Sequence, residues 1–122
     1  RQRQMCKETG DKLKTARRLF TEKIITSLPD VIITSNDLIA QGIISAAHEN
    51  GINIPNDMQI TGFDDSLSSA YFIPSVTTVS QNIDELAKRC FSMLMDLINK
   101  KSSVSSIIEQ NIIARNSAKI NI

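Results

Sequence analysis

A chain of 122 residues with 41% apolar and 22% charged side chains has the size and core content of one folded domain, which argues against extended disorder. Its uncharged apolar runs are far shorter than the ~20 residues that span a bilayer, and no secretory leader is visible at its start. A net charge of +1 is too balanced for a protein that coats nucleic acid.

The balance conceals an asymmetry. Residues 1–23 carry eight basic groups against three acidic ones, a net of +5, which leaves −4 for the remainder. Phe20 is the one aromatic in that basic run, at a position that fits an apolar stripe, so a solvated helix face is a simpler reading than a nucleic-acid contact. Cys6 and Cys90 have no CxxC neighbour and read as reduced thiols in a reducing compartment, with neither a disulfide nor a metal site expected. The chain opens on Arg1 and not on Met, as expected of a fragment or a processed protein.

In chain order, Leu13, Ala16, Phe20, Ile24 and Leu28 recur at three- and four-residue steps, which predicts an amphipathic helix over 11–28 ending before Pro29. The β-branched run Val31-Ile32-Ile33-Thr34 predicts a buried strand. Asn36 then caps a helix through Leu38, Ile39, Ile43, Ala46 and Ala47, terminated by Asn50-Gly51. Pro55-Asn56-Asp57 makes a turn, and Met58 to Phe63 reads as a second buried strand. Helix, strand, helix, strand in this order predicts a right-handed βαβ unit of a parallel sheet. After Asp64-Asp65 comes an irregular stretch with Tyr71, Phe72 and Pro74, then Thr77-Thr78-Val79 as a short extended piece. Over 82–99 an amphipathic helix gathers Ile83, Leu86, Ala87, Cys90, Leu94, Leu97 and Ile98 on one face and Asp84, Glu85, Lys88, Arg89 and Asp96 on the other. Ile107 to Ala114 is expected to be a last strand and Arg115 to Ile122 a tail. The result is an α/β domain of three or four strands.

A parallel sheet binds ligands beyond the carboxyl ends of its strands, which directs attention to Ser35-Asn36-Asp37, Asp64-Asp65 and Ser80-Gln81. Asp64 offers an acceptor-only carboxylate suited to neighbouring hydroxyls, while Asn36 and Gln81 each offer a donor and an acceptor. Together they would make a polar pocket for a polyhydroxylated or nucleobase-like molecule. Local grounds alone also allow Asn36 as a plain helix cap, Asp64-Asp65 as the organiser of the turn into Ser66–Ser69, and Gln81 as a cap neighbour.

Catalytic chemistry finds less support. An acidic pair can hold Mg²⁺ in phospho-acceptor domains, but Asp64-Asp65 lacks a placed third carboxylate and a lysine after the next strand. Neither a GxGxxG nor a GxxxxGK[ST] motif occurs, and the one histidine, His48, falls at a helix C-terminus with no Ser or Cys partner to activate. No enzyme activity, cofactor or metal is expected.

From Pro29 to Ser117, about three-quarters of its length, the chain resembles the C-terminal part of the lactose-repressor/galactose-repressor family of bacterial transcription regulators. The resemblance rests on Pro29 through Asp37 with Ala40 and Gly42, Ile52 to Pro55, Ile60-Thr61-Gly62-Phe63-Asp64-Asp65, Tyr71, Pro74, Thr77-Thr78-Val79, Gln81 and Arg115-Asn116-Ser117, in this order and spacing. It implies an incomplete three-layer, parallel-sheet lobe of a type I periplasmic-binding-protein-like fold. Residues 1–81 and 105–122 would form the C-terminal lobe. Residues 82–104 would be a crossover helix packed on the missing N-terminal lobe, folded back on its own lobe, or packed on a partner chain.

The same resemblance implies that Asn36, Asp64 and Gln81 bind the effector and that Phe63 and Ile83 line the cleft. Ile83 stands where many members carry an aromatic that stacks on the ligand, and the family's upstream R-x-x-G anchor has no match here. Ala40, Gly42, Ile43, Tyr71 and Phe72 would contribute to a homodimer interface. The implied partners are a sugar or nucleoside-like effector, a second copy of the chain, and operator DNA through an N-terminal helix-turn-helix outside this sequence, all in the cytoplasm. Part of a secreted sugar-binding protein of an ABC transporter is the alternative, with an enzyme or phospho-acceptor domain a third.

Overall fold

The computed structural model describes residues 11–102 and 104–119; the first ten residues, with Cys6 and part of the basic run, lie outside it. Helix α1 spans Lys12–Leu19 and starts where Asp11 accepts hydrogen bonds from the backbone N–H of Leu13 and Lys14. The helical path widens into a π-turn over Phe20–Ile24, in which Ile25 N–H reaches back to the Phe20 carbonyl at 3.0 Å. The helix expected over 11–28 therefore stops short of Leu28, which is exposed, while Phe20 is fully buried.

Strand β1 (Val31–Ile33) leads to helix α2 (Asp37–Glu49) and then to strand β2 (Gln59–Thr61), which pairs with β1 in parallel, Ile32 opposite Ile60. The expected parallel βαβ unit is present. After a short helix α3 (Leu67–Tyr71), strand β3 (Thr78–Ser80) joins the far side of β2 through a parallel bridge between Thr61 and Thr77 and the bond from Gly62 N–H to the Thr77 carbonyl. Strand β4 is confined to Asn111–Ile113 and pairs antiparallel with β3, much shorter than the expected 107–114. The spatial order is β1-β2-β3-β4.

The core lies between the sheet and the α1–α2 layer: Ala16 and Phe20 pack with Ala40, Ile43, Ile44, Ala46 and Ala47 of α2, with Met58, Ile60 and Val76 beneath. Gly42 permits this, because a Cβ there would lie 2.8 Å from the Leu13 carbonyl oxygen and 3.1 Å from the Ala16 Cβ. Arg17 fastens the same two helices, holding both Glu49 carboxylate oxygens at 2.7 Å and bonding Ser45. Three of the residues expected at a dimer interface are thereby corrected. Ala40, Gly42 and Ile43 are buried inside the lobe under α1, so their small size serves helix–helix approach within one chain. Tyr71 remains exposed and Phe72 is half-buried against the core.

Two apolar surfaces stay open. The run at β1 predicts a buried strand, yet Val31 and Ile33 are exposed and only Ile32 packs on the core, because no described element covers the other side. Helix α4 (Ile83–Ile98) forms as predicted, but none of its residues is buried; Phe91 is 66% exposed and Leu97 60%. In this structure α4 does not fold back onto its own lobe. Asn82, the N-cap residue between β3 and α4, holds a left-handed conformation with a φ of 53°.

Candidate ligand-binding site at the strand ends

Asn36, Asp64 and Gln81 each follow the carboxyl end of a different strand among β1, β2 and β3, so the parallel order brings all three to one edge of the sheet. The connections between those ends are direct. Asp37 N–H donates to the Phe63 carbonyl at 2.9 Å, and Asp64 N–H donates to the Val79 carbonyl at 3.0 Å. The side chains of Gln81 and Asp64 meet, with Nε2 donating to Oδ1 at 2.6 Å. Gln81 directly precedes Asn82, the N-cap residue of α4, as expected of a cap neighbour, and its side chain turns to Asp64.

Asn36 is the helix cap that local grounds allowed. Its Oδ1 accepts from Ile39 N–H at 2.9 Å, an N-cap bond, and its backbone is fixed by Thr34 Oγ1, which donates to the Asn36 carbonyl at 2.8 Å. With Oδ1 so held, its Nδ2 has no hydrogen-bond acceptor among the described residues and remains available as a donor at the strand ends.

Asp64 and Asp65 are both left-handed, with φ of 104° and 51°. Such a conformation costs a non-glycine residue on the order of 1–3 kcal/mol, least for Asn and Asp. Two ties hold Asp65. Asp65 N–H donates to Thr78 Oγ1 at 3.3 Å, and the Asp65 carboxylate receives Arg115 Nη2 at 2.6 Å. Asp65 is thus the partner of a cation on the chain itself, and a carboxylate pair held open for Mg²⁺ does not describe this turn.

The residue that organises the turn is Asp37, which the sequence placed at a strand end without a role of its own. Asp37 is 1% exposed. Its Oδ1 accepts from Thr78 Oγ1 at 2.6 Å, and its Oδ2 accepts from Ser66 N–H and Ser69 Oγ, each at 2.7 Å. A buried carboxylate demands such donors, and these come from β3 and from α3 and its cap. Gly62 supplies the room, since a Cβ there would overlap the Asp37 carboxylate. Ser66 to Ser69 are therefore ordered by Asp37, where the sequence pointed to Asp64-Asp65.

Ser117 was also missed as an individual residue. Fully buried, it donates to the Ile60 carbonyl at 2.6 Å and accepts from Thr77 N–H at 2.8 Å, joining β2, β3 and the C-terminal segment. Its signal in the sequence was membership of the Arg115-Asn116-Ser117 motif, whose meaning is tertiary. Phe63 and Ile83, expected along the cleft, flank Asp64 and follow Gln81 by two positions; Phe63 is half-buried and Ile83 is 56% exposed.

Beneath these strand ends a depression of about 260 Å³ is lined by Ile33, Thr34, Thr61, Phe63, Thr78 and Val79 among others. A larger concavity of about 640 Å³ lies at the opposite end of α2, between His48, Ile52 and Pro74, and includes none of Asn36, Asp64 or Gln81. It is apolar, but the lining of the smaller depression is also mostly apolar and likewise omits those three residues. The strand-end edge is the candidate because Asn36, Asp64 and Gln81 converge there and not because of either hollow. Among the described residues no cluster of three His, Cys, Asp or Glu side chains is placed to hold a metal, and no helix is long and apolar enough to cross a membrane.

A parallel α/β lobe with polar groups gathered at its strand ends is one half of a cleft-type binding domain. The chain belongs to the periplasmic binding protein-like domain family, whose sequence profile matches residues 2–118. It is 35% identical over 95 residues to the HTH-type transcriptional repressor PurR of Pasteurella multocida, an alignment covering 76% of this chain and 28% of that protein. Among solved structures it superposes on the ribose operon repressor protein from Lactobacillus acidophilus with a TM-score of 0.81 at 30% identity, covering 94% of this chain and 44% of that one. A LacI-type transcription regulator from Bifidobacterium animalis subsp. lactis gives a TM-score of 0.75 at 26% identity over 89% of this chain and 39% of that one. The expected kinship with LacI-type regulators is borne out. The chain spans little more than a quarter of the PurR protein and about two-fifths of the solved structures. These relatives are regulators of transcription and not enzymes or transport proteins.

Proposed function

We propose that the chain is part of the effector-sensing domain of a DNA-binding transcriptional repressor in the cytoplasm, with a binding and not a catalytic role. Residues 1–81 and 105–122 are its C-terminal lobe, and α4, within 82–104, crosses to an N-terminal lobe. A sugar or nucleoside-like effector bridges the lobes, with Asp64 accepting from hydroxyl or N–H groups, Gln81 and Asn36 donating, and Phe63 and Ile83 flanking. Because a ligand that binds the closed arrangement better shifts the population toward it, closure is transmitted to operator affinity. The operator is read by a helix-turn-helix outside this chain. A homodimer forms through the exposed apolar side chains of Leu38, Leu67 and Tyr71 on adjoining elements, in the C2 arrangement usual for such assemblies.

The observation that carries this reading is the 2.6 Å bond between Gln81 and Asp64 at the edge where Asn36 caps α2. The regulator relatives supply the rest. The test is calorimetric titration of the full-length protein with D-ribose, D-galactose, adenosine and guanosine. Asp64→Asn and Asn36→Ala should each weaken the bound compound about tenfold or more, the scale of a lost charge-assisted hydrogen bond. Unchanged affinity in both variants removes the assignment.

A further inference from the structure

We propose that Arg115 is a positioning residue for the effector site, acting through Asp65 without touching the ligand; this rests on the reading of Asp64 as a ligand-binding carboxylate. Three observations meet here. Asp64 and Asp65 hold consecutive left-handed conformations, which a chain leaves readily unless it is tied down. Arg115, 50 positions away in sequence, donates Nη2 to Asp65 Oδ1 at 2.6 Å and Nη1 to the Val76 carbonyl at 2.9 Å, and its backbone N–H donates to Thr77 Oγ1 at 2.9 Å. Both members of the ion pair are largely shielded, the Arg115 side chain being 17% exposed and the Asp65 side chain 26%, so water competes weakly for it.

One guanidinium thus spans the turn after β2 and the entry to β3, the strand that delivers Gln81. Arg115 has no hydrogen bond to Asn36, Asp64 or Gln81 among the described residues, and its effect on them runs through the backbone. Without it, Asp65 loses its strongest tie, the pair of left-handed residues relaxes toward negative φ, and the Asp64 carboxylate leaves Gln81. Lysine cannot replace this fork, because a single ammonium does not reach a carboxylate and a carbonyl in fixed directions.

The experiment uses the full-length protein and four variants: Arg115→Gln, Asp65→Asn, their double, and Asp64→Asn. Amide hydrogen exchange is followed at Asp64, Asp65 and Gln81 and, as an internal reference, at Ile43 and Ile44. Affinity is measured for whichever of D-ribose, D-galactose, adenosine and guanosine binds the unsubstituted protein. Arg115→Gln should accelerate exchange at Asp64 and Asp65 while leaving Ile43 and Ile44 unchanged. It should weaken the ligand roughly tenfold, with Asp65→Asn matching it and the double variant no worse than either single. A merely structural Arg115 would speed exchange throughout the lobe, lower the melting temperature and give additive losses, and that result overturns the proposal. So does unaltered exchange at Asp64 and Asp65. If Asp64→Asn leaves affinity intact, the site reading fails instead, and the exchange pattern still decides whether Arg115 holds the turn.

Discussion

Asp37 Oδ1 receives the Thr78 hydroxyl at 2.6 Å, a buried bond between the first turn of α2 and the middle of the parallel strand ends. With Ser69 Oγ and Ser66 N–H on its other oxygen, this carboxylate fixes how α2, α3 and β3 meet, one residue from the asparagine proposed to bind the effector. Asp37→Ala strands three donors, two of them in buried bonds, and should cost about 3–5 kcal/mol, the range for breaking a buried charged network. Urea denaturation measures it; a loss below ~1 kcal/mol would mean that water replaces the carboxylate.

Gly62→Ala acts on the same contact from the other side. Its Cβ would overlap the Asp37 carboxylate, which is anchored by three donors and has nowhere to move. A destabilisation of roughly 1–3 kcal/mol is expected, as for overpacking elsewhere. Combined with Asp37→Ala the two losses should not add, because the second variant removes the obstacle.

Ser117→Ala removes one donor and one acceptor at a fully buried position. The Ile60 carbonyl and Thr77 N–H would lose a partner each, for about 1–3 kcal/mol. Thermal melting of Ser117→Ala beside Ser105→Ala, an exposed control, checks this.

Helix α4 gives a prediction about the whole protein. Its apolar face, including Leu94 and Leu97, is open in this lobe. If α4 crosses to a second lobe, Leu94→Ala and Leu97→Ala in the full-length protein should each cost about 2 kcal/mol or more, the scale of buried leucine truncation. Losses under ~0.5 kcal/mol, typical of surface positions, would leave α4 facing water there as well.

Much of this architecture was readable in the residues. The cap at Asn36, the Asn50-Gly51 stop and the apolar periods of α1, α2 and α4 are local signals, and local chemistry decides them. The strand order then carried Asn36, Asp64 and Gln81 to one edge. What the sequence hid was tertiary. Gly42 reads as a small residue for any close approach, and only the packing of α1 says that the approach is internal. Asp37 and Arg115 are charged residues whose partners lie from 29 to 50 positions away, a distance at which no spacing rule operates. The length of β4 was overestimated because β-branched Ile107, Ile108, Ile112 and Ile113 suggest one strand, whereas β3 offers just three partners.

The most direct measurement is a crystal structure of the full-length protein with its bound effector. An effector polar group should lie within hydrogen-bond distance of the Asp64 carboxylate, with Asn36 and Gln81 at its rim and Arg115 still on Asp65. A ligand seated instead in the apolar concavity by His48, with Gln81 still bonded to Asp64, would contradict the assignment.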